Sequence, residues 1–437
     1  MQTRLADPLP LPCGVTLPNR FLKSAMTEGL ADAWDRPTLA HETLYARWGH
    51  AGAGVLVTGN VMVDQRYLER PGNVVVEDDS ALERLRAWAE AGRRGGSALV
   101  MQISHPGRQC TRMVTRQPVA PSAVGLRIGG LFGTPRALEE AEIEPIIARY
   151  ASTAGIAKRA GFSGVQVHGA HGYLCNQFLS PLVNRRTDRW GGSLENRARF
   201  LREVVRAVRH AVGPEYPVMV KLNSSDFQKG AFTIEESCQV AAWLAEDGID
   251  LLELSGGTYE RMRLLGLGQP EAREADSTRR REAYFLEYAE AMRAAAQVPL
   301  AVTGGFRTID AMQSALAHGL VDVVGLARPL CVEPELVQRV LAGGLAPAPA
   351  HERHLRLGPG WFSANSSNAT LRGLNAQALT AWYYRQILEL AAGREPVVGL
   401  SIHAALWSHY VREFGLARAR RAVRGARGIR ALLPSRS

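Results

Sequence analysis

His168 and His171 stand three residues apart, and Tyr173 follows two positions on, in the run His168-Gly-Ala-His-Gly-Tyr173. Two imidazoles at this spacing can hold a zinc ion, or they can direct ring N–H groups at one substrate oxygen. No third ligand stands at zinc spacing, so no metal is expected. Donors aimed at a carbonyl oxygen stabilise the charge that grows there, each contributing on the order of 3 kcal/mol in a dry site. A tyrosine hydroxyl, with an ordinary pKa of about 10, is protonated at neutral pH and can give that proton up. A pair of structural histidines and a core tyrosine produce the same spacing, and spacing alone leaves these readings open.

A second set of residues suits a phosphate. Thr303-Gly-Gly-Phe306 precedes a helix expected to start near Thr308, and Val324-Gly-Leu-Ala-Arg-Pro-Leu330 precedes another turn and helix. Glycines let backbone N–H groups approach a phosphate, a helix N-terminus favours negative charge, and arginine grips it bidentately. Each motif alone is equally a tight turn. Together, at consecutive strand ends, they favour a phosphate-bearing ligand.

These residues require a scaffold that brings distant loops together. Short apolar runs are expected as strands at Phe21–Met26, Val55–Val61, Ala98–Ser104, Gly164–His168, Val218–Leu222, Leu251–Ser255, Leu300–Thr303 and Val321–Gly325. Amphipathic stretches alternate with them: Leu39–Ala51, Ser80–Arg93, Pro145–Ala160, Leu194–Val212, Ile234–Glu246, Ala283–Ala296, Ile309–Ala317 and Glu333–Leu341. Eight strand–helix units in series specify an α/β fold, the (β/α)8 TIM barrel, whose active sites lie at the C-terminal ends of the strands. The rival, a doubly wound open sheet, opens with a Gly-rich dinucleotide fingerprint that is missing here.

The barrel is expected over residues 1–344 and a helical, Arg-rich C-terminal extension over 345–437. Leu345-Ala-Pro-Ala-Pro-Ala350 has linker composition, and Leu379, Trp382, Tyr383, Ile387 and Leu390 share one helix face. The net charge is +10, and 13 arginines against 4 glutamates place nearly all of it after Leu345. The extension is therefore expected to dock on the barrel and end in a solvated basic face that includes Arg418, Arg420, Arg421, Arg424, Arg427 and Arg430. That charge leaves room for peripheral contact with an anionic membrane. Nucleic acid is not an expected partner of the near-neutral body. No apolar run is long enough to cross a bilayer, and the N-terminus lacks an apolar signal core, so a cytoplasmic location is expected. The five cysteines have no metal or redox spacing and read as reduced thiols.

The run from His168 to Phe200 carries HGAHGYL, QFLSP, N.R.D..GGS and ENR.RF in order, and it resembles the central signature of the old yellow enzymes. These are NADH:flavin oxidoreductases that carry FMN in a (β/α)8 barrel. The resemblance extends to Leu17-Pro-Asn-Arg-Phe21, Ala25-Met26-Thr27, Gln102-Ile-Ser-His-Pro-Gly-Arg-Gln109, Ala120-Pro-Ser122, Val220-Lys-Leu-Asn223, Thr303-Gly-Gly-Phe306 and Gly325-Leu-Ala-Arg328, spanning Leu9 to about Gly344.

The resemblance implies an FMN-dependent ene-reductase with NADH or NADPH as a transient hydride donor. It implies that Ala25, Met26 and Thr27 line the flavin, with the Thr27 hydroxyl on the carbonyl next to N5, and that Asn60 lies beside the ring. Gln102 would read the pyrimidine edge, and Lys221 would place its charge near N1. Gly304, Gly305, Ala327 and Arg328 would hold the phosphate. His168 and His171 would bind the carbonyl oxygen of an α,β-unsaturated substrate, and Tyr173 would be the proton donor. The alternatives are a flavin oxidoreductase acting on a quinone, a nitro compound or oxygen, and a phosphate-binding barrel lyase or isomerase without flavin. A small-molecule substrate and a monomer or homodimer are expected. Thr27 stands where some branches carry cysteine, Lys221 replaces a common arginine, Ser104 stands where some members have tryptophan, and Trp190 replaces a tyrosine. No cysteine cluster follows the barrel, so no iron–sulfur cluster is expected.

Overall fold

The computed structural model describes residues 3–126, 130–255, 288–364 and 366–432. Its central element is a parallel sheet of β1 (Phe21–Lys23), β2 (Val55–Val57), β3 (Ala98–Ser104), β4 (Gly164–Gly169), β5 (Val218–Asn223), β6 (Leu251–Ser255), β7 (Leu300–Thr303) and β8 (Val323–Leu326). Each strand pairs with the next, and β8 pairs with β1 through Gly325 opposite Leu22, which closes the barrel. The expected (β/α)8 barrel is the observed one.

Period-two alternation explains the layering. Leu22, Val55, Val57, Val100, Met219, Leu251, Ala301 and Val323 form an interior apolar layer together with Leu9, Leu11 and Leu17 of the N-terminal segment. The intervening Phe21, Leu56, Leu99, Val165, Val220, Leu252, Val302 and Val324 face the helices and belong to the larger outer core. Lys23 takes an outward position on β1 and is fully buried. Its ammonium donates to Val57 O at 2.8 Å and lies 4.3 Å from the centre of the Trp48 ring, while burial lowers its pKa to about 8.

The helices follow from equally local causes. Leu194–Val212 buries Ala198, Leu201, Val204, Val205, Val208 and Val212 on one face. Ser193 caps its start by accepting from Asn196 N, a bond worth about 1 kcal/mol. Gly213, at φ 79°, ends it in a conformation that glycine adopts without a Cβ penalty. One helix begins earlier than expected, at Glu140 and not at Pro145. A capping box between Glu139 and Glu142 stabilises the earlier start and offsets the single N–H that Pro145 withholds. The runs expected at Phe21–Met26 and Val55–Val61 are shorter as strands, because the chain leaves the sheet at Ser24 and Thr58 to build loops over the barrel. The last expected helix, from Glu333, starts at Leu336, and the N-terminal part of Ala283–Ala296 lies outside the described residues.

The extension does dock. Helices Ala369–Ala391 and Ile402–Leu432 pack on each other, and the first also packs against Leu39–His50 and Pro329–Val332 of the barrel. Leu379, Trp382, Tyr383, Ile387 and Leu390 are buried on its inner face, as their spacing predicts. The expected solvated basic face needs correction. Arg420 is 5% exposed and binds Asp35 at 2.7 Å, and Arg424 donates to Gln65 of the barrel. The side chains of Arg427 and Arg430 are not described, whereas Arg418 and Arg421 are exposed. Among the described residues no helix is long and apolar enough to cross a membrane.

Candidate active site

Two residues beyond six members of the apolar layer, the same alternation turns a further position inward. Ser24 follows Leu22, Gln102 follows Val100, Lys221 follows Met219, Glu253 follows Leu251, Thr303 follows Ala301 and Gly325 follows Val323. These residues, with Gln166 and His168 on β4, make a buried polar tier at the C-terminal mouth of the barrel. Gly325 can only be glycine there, since a Cβ would stand 1.8 Å from Thr303 Oγ1.

Glu253 is the hub of this tier and was not anticipated. It is wholly buried and accepts from Ser24 Oγ and Thr303 Oγ1, each at 2.6 Å, and from Gln166 Nε2 at 2.7 Å. Lys221 Nζ lies 2.9 Å from its Oε1 and donates to Ser24 Oγ at 2.7 Å. Burial alone would raise the Glu253 pKa, but the Lys221 charge and these donors hold it below the usual carboxylate value. Gln102 joins the tier by donating Nε2–H to Gln166 Oε1 at 2.7 Å. The signal that could have found Glu253 was available: period two from Leu251 points it inward.

Above the tier lies the loop that follows β4. His171 holds φ 60° and Gly172 φ 77°, two left-handed residues that turn the chain from β4 into the short helix Leu174–Leu179. For a histidine this conformation is uncommon, and the surroundings fix it. His171 N donates to Asn223 Oδ1 at 3.1 Å, Gln109 Nε2 donates to His171 O at 2.8 Å, and Gln177 Nε2 donates to Gly172 O at 2.7 Å. Tyr173 becomes the N-cap residue of that helix, and its ring packs on His168 with centroids 4.5 Å apart.

The two imidazoles are linked to each other. Asn60 Nδ2 donates to Glu69 Oε2, so Asn60 Oδ1 accepts from His168 Nδ1–H at 2.8 Å. His168 Nε2 then accepts from His171 Nδ1–H at 3.1 Å, and His171 Nε2 accepts from Ser255 Oγ at 2.7 Å. The proton positions are assigned from this network. Both rings are therefore neutral: burial and neighbouring positive charge lower the His168 pKa well below its ordinary value, and burial with Lys221 takes His171 to about 3. Sequence spacing suggested two N–H groups converging on one oxygen; here His171 Nδ1–H points at its partner ring. Thr27 Oγ1 donates to Glu69 Oε2 at 3.0 Å, so Glu69 ties Thr27 and Asn60 together.

One cavity of about 260 Å³ gathers these residues. Ala25, Met26, Thr27, Asn60, Gln102, His168, His171, Tyr173, Lys221, Gly304, Ala327 and Arg328 all line it. Gly305 does not contribute to its wall, although at φ 85°, beside Gly304 at φ 125°, it shapes the loop there. Ser24, Ser255 and Thr303 join from the polar tier. The opposite wall comes from the extension: Leu379, Thr380, Tyr383, Tyr384 and Ile387. Among the described residues no cluster of histidine, cysteine and carboxylate side chains could hold a metal ion.

The sequence model of the NADH:flavin oxidoreductase / NADH oxidase family matches residues 5–345. The NADH-dependent flavin oxidoreductase iliE of Hypocrea jecorina is 38% identical over 354 residues, covering 76% of this chain and 88% of that protein. The old yellow enzyme homologue of Zymomonas mobilis superposes with a TM-score of 0.66 at 26% identity, over 80% of this chain and 96% of its own. A 2-naphthoyl-CoA reductase in complex with 2-naphthoyl-CoA superposes with a TM-score of 0.73 at 27% identity, over 80% of this chain but 54% of that longer chain. The family match stops where the extension starts.

Proposed function

The chain belongs to the NADH:flavin oxidoreductase / NADH oxidase family, and from that premise we propose that it is an FMN-dependent ene-reductase. It would draw reducing equivalents from NADH or NADPH and reduce the C=C bond of an α,β-unsaturated carbonyl compound. The observation that carries this reading is the convergence of His168, His171 and Tyr173 on the cavity that Thr27, Gln102, Lys221 and Arg328 also line.

The residues present suit FMN. Gly304 lines the cavity at the end of β7, and Ala327 and Arg328 line it beyond β8. These residues, with the loop shaped by Gly305, would hold the phosphate. Lys221 supplies a buried cation for the ring system, and Ala25, Met26, Thr27, Asn60 and Gln102 would flank it. When bound, FMN supplies the hydride chemistry, accepting from the nicotinamide and delivering to the substrate's β-carbon.

The chain's own residues would do the rest. A carbonyl oxygen entering beside the histidine pair takes the place of His168 Nε2 as the acceptor for His171 Nδ1–H. His168 adds a second donor in its other tautomer, with the proton on Nε2 and the Asn60 amide turned so that Nδ2 donates to His168 Nδ1. Both donors strengthen as the oxygen gains charge, which favours the transition state over the ground state. Tyr173 would hold the proton at Oη and release it to the α-carbon. The wall from the extension, two tyrosines with Leu379 and Ile387, would exclude water and favour an apolar, ring-bearing substrate.

Anaerobic reduction by each nicotinamide, followed by mixing with acceptors, tests this. A cyclic enone should reoxidise the protein faster than a quinone, a nitro compound or oxygen. Reoxidation only by the latter three would leave an oxidoreductase of another acceptor class, and a colourless protein that binds phosphorylated metabolites would restore the lyase or isomerase reading.

A further inference from the structure

The extension delivers an acidic side chain to the loops that carry the phosphate-site glycines. Glu352 lies in the turn His351–Arg353, just past the linker, and its side chain is 4% exposed. Its Oε1 pairs with Arg307 Nη2 and stands 3.7 Å from Arg328 Nη2. Its Oε2 accepts from Tyr383 Oη at 2.6 Å, and the Arg328 guanidinium lies 5.9 Å from the centre of the Tyr383 ring. Arg307 closes the loop Gly304-Gly305-Phe306, Arg328 closes the loop after β8, and the linker is pinned here too, with Ala348 N donating to Arg307 O at 2.7 Å. Burial works against the Glu352 charge, yet Arg328, Arg307 and the Tyr383 hydroxyl hold its pKa to about 2, so the carboxylate is ionised at working pH.

Two guanidinium groups on adjacent loops repel each other and would turn apart. A single carboxylate between them cancels one charge and holds both side chains, leaving Arg328 as the arginine on the cavity wall. On the flavin reading above, we infer that Glu352 is a positioning residue: it ties Arg307 and the linker to Arg328 and so holds Arg328 on the cavity wall for the FMN phosphate, and docking of the C-terminal extension and phosphate binding strengthen each other. The extension is then a clamp on the cofactor as well as a wall of the cavity. Coupling of this kind is reciprocal, so FMN must hold the extension in place to the same degree that the extension holds FMN.

The test compares FMN with riboflavin, which lacks the phosphate, by titrating full-length protein freed of flavin and following flavin fluorescence. Glu352→Gln keeps the side-chain shape and removes the charge. It should weaken FMN at least tenfold and leave riboflavin affinity within about twofold. Tyr383→Phe, which keeps the ring over Arg328, should lower the FMN-to-riboflavin ratio in the same direction by a smaller factor. FMN, but not riboflavin, should slow proteolytic cleavage of the linker 345–350 in the unsubstituted protein. Unchanged or tighter FMN binding by Glu352→Gln would overturn the inference, tighter binding meaning that the carboxylate competes with the phosphate. Equal loss of both flavins would also overturn it, by marking a general structural role. If the unsubstituted protein bound neither flavin, the flavin reading itself would fail, which is a different result.

Discussion

Tyr173 and Glu253 show how differently single residues report their purpose. Tyr173 was visible from its place after the two histidines, and the structure puts it on the cavity wall against His168. Tyr173→Phe should slow the substrate-dependent reoxidation about a hundredfold or more, in the range for loss of a general acid, while leaving reduction by the nicotinamide within a few-fold. Stopped-flow absorbance separates the two half-reactions, and equal losses in both would exclude it as proton donor. Glu253 escaped a motif-based reading because its role arises from strand register: β6 places it opposite Lys221 and within reach of β7. Glu253→Gln leaves Lys221 buried without its counter-charge and turns an amide towards the Gln166 donor. The expected cost is about 3–5 kcal/mol of stability, read from urea unfolding. A loss under 1 kcal/mol would show that the pair is not the hub of the polar tier. Glu69 and Glu352 escaped for the same reason, since each meets its partners only through tertiary contact.

At the scale of elements, regular segments with a clear period were legible to the residue. Ala98–Ser104, Leu251–Ser255, Leu300–Thr303, Leu194–Val212, Ile234–Glu246 and Ile309–Ala317 have the bounds that their apolar spacing predicts. The short helix Leu174–Leu179 was not legible, because six residues hold too few turns to show a helical period. The polar tail of the long motif also changed meaning. Asn184 donates to Phe178 O and Trp190 O, Arg186 pairs with Asp188, and Arg197 pairs with Glu236, so these residues shape the loop behind the site. The face of Ala369–Ala391 was read correctly as a buried stripe, but its contact with the cavity depends on how the extension folds back over the barrel. Leu379→Trp should fill part of that cavity. It should raise KM for bicyclic enones at least tenfold while changing KM for 2-cyclohexenone by less than threefold. Equal effects on both substrates would show that this helix does not bound the substrate space.

For the whole molecule, the barrel and its docked extension share one pH dependence. Burial holds His41, His171 and His409 at about 3 and His105 at about 4, and His168 well below its ordinary value. All five lie below the unfolded value of about 6.5. Each is neutral in the folded protein and charged once unfolded, so stability is full above pH 6.5 and is lost as pH falls towards 4. Unfolding at pH 5 should take up about one proton per buried ring. Calorimetry across this range should show Tm falling steeply below pH 6.5, and a flat Tm from pH 7 to 5 would contradict the burial of these rings. His409 belongs to the extension and lies against Arg70 of the barrel, whose Nη2 is 3.5 Å from its Nδ1, so protonation sets two positive charges face to face and detachment of the extension should accompany this transition.

The central claim is that the His168–His171 pair holds a carbonyl oxygen while hydride reaches the β-carbon and Tyr173 protonates the α-carbon. A single anaerobic turnover of the nicotinamide-reduced protein with 2-cyclohexenone in D2O tests it most directly, with the product read by mass spectrometry and NMR. The account predicts cyclohexanone carrying one solvent deuteron at the α-carbon, and the nicotinamide-derived hydrogen at the β-carbon. Recovery of unreduced enone from protein that oxygen or a quinone reoxidises at once would contradict it.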